Sequence, residues 1–261
     1  MKDKARRVVR KYVEFIITKI RIIWEQRTFY YKDVKVKYIL KRKKNADSLV
    51  IVFSACTRKG LKARYNYVKT LDGLGCNRLY ILDDYARDHR GSYYMGRDFK
   101  FNEETAVEEL IKKVITELNP KKTVFCGSSK GGYAALNFGV KFDGSYMVVG
   151  GPQYFLASYL RNGNEYALEH IVGERTPDKE EKLDAYLREK LQNNDKRNSQ
   201  KIYIHYSDKE HTYEEHIKAM LEDLKSGGYD VSEDVADYAN HSDIAYYFPD
   251  FLKKQIIDII S

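Results

Sequence analysis

Residues 124–136 read VFCGSSKGGYAAL. An apolar run enters two serines flanked by glycines at 127, 131 and 132, and leaves through a helix-forming tail. Gly127-Ser128-Ser129-Lys130-Gly131 matches G-x-S-x-G, in which a serine sits on a sharp strand-to-helix turn with its hydroxyl in the open. The small residues are needed where neighbouring backbones pass too close for a Cβ. The N-terminus of the helix that follows favours negative charge at the turn. The spacing puts Ser129 at the apex and Ser128 before it. The same letters also suit an ordinary tight turn, so the reading rests on whether partners exist.

A serine hydroxyl is a poor nucleophile unless a base takes its proton and a carboxylate orients the base. The base and acid of such sites follow the serine in the order acid, then histidine. Of six histidines, His89 precedes the serine, His170 lies in a charged helical stretch, His205 sits in an apolar strand-like run, and His211 and His216 border a helix. His241, in YANHSDIAYYF just before the last helical pattern, is the expected base. IYIHYSDKEH places Asp208 just past the end of a strand, where catalytic groups of open α/β sheets gather. Asp208 is the expected acid and Glu210 its rival. Lys130 and a residue of the loop after LVIVFS, Ala55 or Cys56, are the expected backbone donors to an oxyanion. The Lys130 side chain is expected to point away from the serine.

Outward from this corner the chain alternates. Strand patterns fall at 33–40, 48–54, 77–84, 122–128, 146–152, 200–207 and 229–238, and helical patterns at 63–75, 103–120, 132–142, 213–228 and 244–260. Asn102 and Pro120 mark the ends of the second helix. The alternation predicts a mostly parallel sheet with helices on both faces. Residues 153–199, helical and highly charged, interrupt the rhythm as a lid-like insertion. The expected division is a basic N-terminal helix and leading strand over 1–45, then one α/β domain over 46–261.

Charge is uneven. Residues 1–44 hold 16 Lys/Arg and 4 Asp/Glu, a net of +12, while the whole chain is +8, so the remainder nets −4. Residues 5–26 read as an amphipathic helix with a basic face, suited to an anionic membrane surface or to packing on protein. VEFIITKIRII is broken by charges and followed by no cleavage site, so neither a secretory signal nor a span is expected. Three unpaired cysteines fit a reducing compartment, and no spacing suggests a metal site. No cofactor is called for, and no nucleic-acid motif accompanies the basic segment.

With the strand order, the corner and the late histidine in place, the chain resembles the α/β-hydrolase superfamily. More narrowly it is similar to XcbB/CpsF-type capsular polysaccharide biosynthesis proteins and to the hydrolase domain of accessory Sec proteins. IVFSA (51–55), GSYYMG (91–96), CGSSKGGYAAL (126–136), GGPQ (150–153) and NHSDI (240–244) carry the likeness over about 48–261. The resemblance implies a Ser129, Asp208 and His241 triad and an ester-directed serine enzyme, acting on O-acyl esters of a cell-envelope glycan. O-acyl transfer to a surface sugar, or a non-catalytic role in capsule or secretion assembly, are the alternatives. It further implies a cytoplasmic place, at most peripheral to the membrane. Tyr94 and Arg97, with Arg90, are the expected substrate contacts.

Overall fold

A computed structural model describes residues 24–261, so the helix expected over 5–26 lies, but for its last residues, outside the described range. Eight strands form one sheet: β1 (Arg27–Tyr31), β2 (Val34–Lys41), β3 (Ser48–Phe53), β4 (Asn77–Leu82), β5 (Lys122–Ser128), β6 (Tyr146–Gly150), β7 (Lys201–Tyr206) and β8 (Asp230–Val235). Their spatial order is β1-β2-β4-β3-β5-β6-β7-β8. From β4 through β8 all neighbours are parallel, and β1 and β2 add an antiparallel edge.

The apolar run of β3 is buried along its whole length, and so is β4, where Asn77 and Arg78 lead into Leu79–Leu82, as strands covered on both faces must be. Side chains alternate between the two faces. Leu49, Ile51, Phe53 and Phe125 enter one core. It is closed by α1 (Asn102–Leu118) and α2 (Lys130–Gly139) and extended by the helices of the insertion. Val50, Val52, Val124 and Cys126 enter the other, closed by Phe248, Leu252 and Ile256 of the C-terminal helix, Ile244–Ile260. The insertion supplies α3 (Leu156–Gly163), α4 (Glu165–Val172) and α5 (Pro177–Gln192), the last begun by Thr176, whose hydroxyl accepts from the Lys179 N–H. Helix α6 (Lys218–Ser226) and the C-terminal helix, α7, complete the fold.

Two local expectations fail. Residues 63–75 form turns rather than a helix. Tyr67 takes a left-handed φ of 58°, its ring meets Phe248 edge-on at 5.4 Å and its hydroxyl bonds to Ser128. These contacts outweigh the modest helix propensity of a Tyr-Asn-Tyr sequence. Asn102 is the first residue of α1, not its cap; left-handed Phe101 occupies that position without a side-chain bond.

Candidate active site

The strand-to-helix corner is built by close backbone approach. A Cβ on Gly127 would stand 2.5 Å from the Gly131 backbone, and one on Gly131 would stand 2.6 Å from the Phe53 carbonyl oxygen. Real Cβ atoms do not occupy such positions, so glycine is required at both. Between them Ser129 is held at φ 50°, ψ −120°, a conformation a non-glycine residue rarely adopts. Its N–H donates to the Gly150 carbonyl at 2.8 Å, and its own carbonyl accepts from Tyr133 at 3.0 Å. The backbone is thus pinned on both sides, and the hydroxyl is aimed off the C-terminal edge of the sheet. Ser128 is buried and spent on Tyr67.

His241 begins the short turn His241–Asp243 ahead of α7. Its Nε2 lies 2.9 Å from Ser129 Oγ, and its Nδ1 lies 2.9 Å from Glu210 Oε2. With Nδ1–H donating to the carboxylate, Nε2 is left as acceptor for the serine proton. The carboxylate on the histidine is therefore that of Glu210, and Asp208 is exposed to solvent. The expectation of Asp208 is corrected for a geometric reason. β7 ends at Tyr206, and the turn after it carries Asp208 outward and brings residue 210 back under His241. The Glu210 side chain is fully buried there, and its second oxygen, Oε1, has no hydrogen-bond partner among the described residues.

Sequence reading missed three neighbours. Gln153, fully buried at the end of GGPQ, donates its amide to Ser129 Oγ at 3.1 Å. Its orientation is set by the Tyr93 hydroxyl, which donates to Gln153 Oε1 at 3.3 Å. Tyr159, from α3, sets its ring 6.2 Å from His241. Burial pushes the phenol pKa up, partly offset by hydrogen bonding with Ser129. His216 packs edge-on against Tyr159 and accepts from the Phe155 N–H through Nδ1. Burial, helped by His211 and His241, pushes its pKa down to about 4, so it stays neutral beside the site. GGPQ contains Gln153 but does not mark it as a neighbour of Ser129, and no motif signals Tyr159 or His216; the fold brings the insertion to the sheet's edge.

The donors expected for an oxyanion are partly rearranged. The Lys130 N–H sits in the first turn of α2, where amides have no intrahelical acceptor. The Ala55 N–H donates to the Asn66 side chain at 3.0 Å, so it is committed to the misread 63–75 segment. Cys56 is left as the loop's candidate donor. The Lys130 side chain does turn away from the serine. It runs into the core to an ion pair with Asp83 at 2.8 Å, both side chains fully buried. Asp83 also accepts from the N–H groups of Ser92 and Tyr94, and the Lys130 ammonium reaches Ser54 Oγ at 3.4 Å. Ser54 immediately precedes the Ala55–Cys56 loop, so one buried network ties that loop to the start of α2.

Tyr94 is not placed to meet a substrate: it is fully buried, with its hydroxyl committed to Ser54 and the Ile81 carbonyl. Arg97 is exposed and lines shallow surface depressions that contain neither Ser129 nor His241. Arg90 lies near the site, donating to the Thr57 carbonyl and to Cys56 Sγ. Among the described residues, no helix is long and apolar enough to cross a membrane.

No protein-family model matches the chain, and no curated protein sequence does. Solved structures do. The chain is similar to the capsule O-acetyltransferase of Neisseria meningitidis serogroup A, at 21% identity and a TM-score of 0.74 over 88% of this chain and 93% of that one. A mutant of that enzyme in complex with CoA aligns at 20% identity, with a TM-score of 0.75 over 88% of this chain and 94% of that one. It is similar to the glycosylation-associated Gap123 complex of Streptococcus agalactiae, at 16% identity and a TM-score of 0.73 over 89% of this chain and 46% of that one. It is also similar to the fluorophosphonate-binding serine hydrolase FphF of Staphylococcus aureus, at 14% identity and a TM-score of 0.67 over 90% of this chain and 97% of that one. The chain has the α/β-hydrolase fold.

Proposed function

We propose that the protein is a serine-dependent acyl-transfer enzyme, and that its acceptor is a hydroxyl of a cell-envelope glycan. One observation carries the reading: Ser129 Oγ, His241 Nε2 and Nδ1, and Glu210 Oε2 form a relay of two 2.9 Å contacts on a strained turn. In the proposed cycle Ser129 Oγ attacks the acyl carbonyl while His241 Nε2 takes its proton. Glu210 holds the tautomer and stabilises the imidazolium. The Lys130 and Cys56 N–H groups face the developing oxyanion, where one such donor is worth about 3–4 kcal/mol of barrier. The imidazolium then protonates the leaving group. An acceptor hydroxyl, deprotonated by His241, takes the acyl group from Ser129.

Transfer to a sugar is supported by the likeness to the capsule O-acetyltransferase. Hydrolysis of glycan O-acyl esters is the second reading, supported by the likeness to FphF, and differs only in that water is the acceptor. A place at the inner face of the membrane rests on the charge of residues 5–26 alone.

The test is labelling of the full chain by a fluorophosphonate, with the modified residue identified by mass spectrometry. Labelling at Ser129 that Ser129→Ala and His241→Ala both abolish is expected. A folded protein that does not label refutes the reading and leaves an interaction role, of the kind the Gap123 likeness raises.

A further inference from the structure

Two positions after Cys56, residues 58–64 read RKGLKAR: four basic residues in seven and no acidic one. This runs against the local trend, since residues 45–261 net −4. The segment is exposed at Arg58, Lys59, Lys62 and Arg64, and forms one wall of a pocket of about 560 Å³. That pocket is lined by Lys59, Lys62, Arg90 and Arg161 against Asp88 and Glu165, four positive groups to two negative.

The four cations differ in what they have left to give. Arg161 is paired with Glu180, and Arg90 is tied to the Thr57 carbonyl, Cys56 Sγ and Asp88. Among the described residues, neither Lys59 nor Lys62 has an acidic partner within ion-pair distance. An exposed loop that concentrates unpaired positive charge on a concave surface lowers its own electrostatic cost by holding an anion.

The wall of the pocket reaches the loop that carries Cys56. Arg90 and Asn164, both in its wall, reach Cys56 Sγ at 3.3 and 3.9 Å. The positive charge of Arg90 reaches Tyr159, beside Ser129, and acts to lower its phenol pKa. Lys59 follows Cys56 by three positions, a span of at most about 10 Å. An acyl carbonyl at Ser129 and an anionic group at Lys59 and Lys62 would thus belong to one ligand with an extended arm.

We infer that residues 58–64 and the pocket beside them bind a phosphate group of the acyl-transfer substrate, with Lys59 and Lys62 as its main contacts. This rests on the acyl-transfer reading for its substrate. The phosphate has two possible sources, a phosphorylated acyl donor or a glycan acceptor that carries phosphodiesters.

The test measures binding to the full chain by calorimetry, with CoA as the donor probe and poly(glycerol phosphate) as the acceptor probe. Lys59→Glu with Lys62→Glu is compared with Lys253→Glu with Lys254→Glu, the same charge change on exposed residues of α7. A loss of at least about tenfold in affinity for one probe, confined to the first variant, is expected, since reversing two contacting charges removes attraction and adds repulsion. The probe that responds identifies the source. Equal affinity of the two variants for both probes overturns the inference. Ser129→Ala is expected to keep the binding. Binding without fluorophosphonate labelling would keep the subsite and refute the enzyme, whereas labelling without discriminating binding would do the reverse.

Discussion

Replacing Glu210 by glutamine removes one charge from beneath His241 and leaves the shape of the side chain almost unchanged. At 2.9 Å, with the effective dielectric of about 20 suited to protein sites, a carboxylate and an imidazolium attract by 332/(20 × 2.9), about 6 kcal/mol. That attraction exists only while the imidazole is charged, and so it acts on the transition state rather than on the resting enzyme. Its loss corresponds to about four decades in rate. The amide also presents an N–H₂ as readily as an oxygen. An N–H₂ facing Nδ1 would move the imidazole proton to Nε2, where it points at Ser129 and blocks proton abstraction. Retained hydrogen bonding offsets part of this, so the expected fall is about 10³- to 10⁴-fold. The assay is the pseudo-first-order rate of fluorophosphonate labelling at Ser129, with melting temperature as the check on folding. Asp208→Asn, at an exposed position, is expected to stay within about threefold of the wild type. The assignment fails if Asp208→Asn slows labelling as much as Glu210→Gln does. It fails equally if Glu210→Gln labels at the wild-type rate.

Two further outcomes follow from buried charge. Lys130→Met strands the Asp83 carboxylate in a site with no exposure, which costs about 3–5 kcal/mol. At about 2–4 °C per kcal/mol, melting should fall by about 6–20 °C, and Asp83→Asn combined with Lys130→Met should recover most of it; an unchanged single variant refutes the pair's role. His216 is held to about 4 in the fold against an ordinary 6.5. Between those values the unfolded chain binds more protons, so the stability is whole above pH 6.5 and is lost as pH falls towards 4, by about 3 kcal/mol in all. Urea midpoints from pH 4 to 7 should therefore fall less steeply for His216→Phe than for the wild type, and equal slopes would refute this.

The sequence carried what local chemistry writes into residue order. Apolar runs marked the central strands β3 to β6, and glycines at 127 and 131 marked the place where backbones nearly touch. His241 was legible because a histidine between the last strand and the last helix has one end of the sheet to face. The acid was not legible between Asp208 and Glu210, because two residues of turn decide which one points inward, and that turn is set by tertiary packing rather than by its own letters. Residues 63–75 were misread because helical spacing in a short aromatic segment says nothing of a hydroxyl that will bond Ser128. Tyr159 carries no pattern at all, and the GGPQ that ends at Gln153 does not say that its amide will meet Ser129. Both residues matter through the sheet order, which places β6 and the insertion next to β5.

Position 130 carries two demands at once: its main chain opens α2 beside Ser129, and its side chain closes the charge of Asp83. Main chain and side chain are usually free to change separately, and here they are not. A library randomised at 130 alone should return lysine, because every other choice leaves a buried carboxylate unanswered. A library randomised jointly at 83 and 130 should admit apolar pairs, since removing both charges together costs little. Redesign of this corner therefore proceeds in coupled steps, and a search by single substitutions will find lysine immovable without learning why.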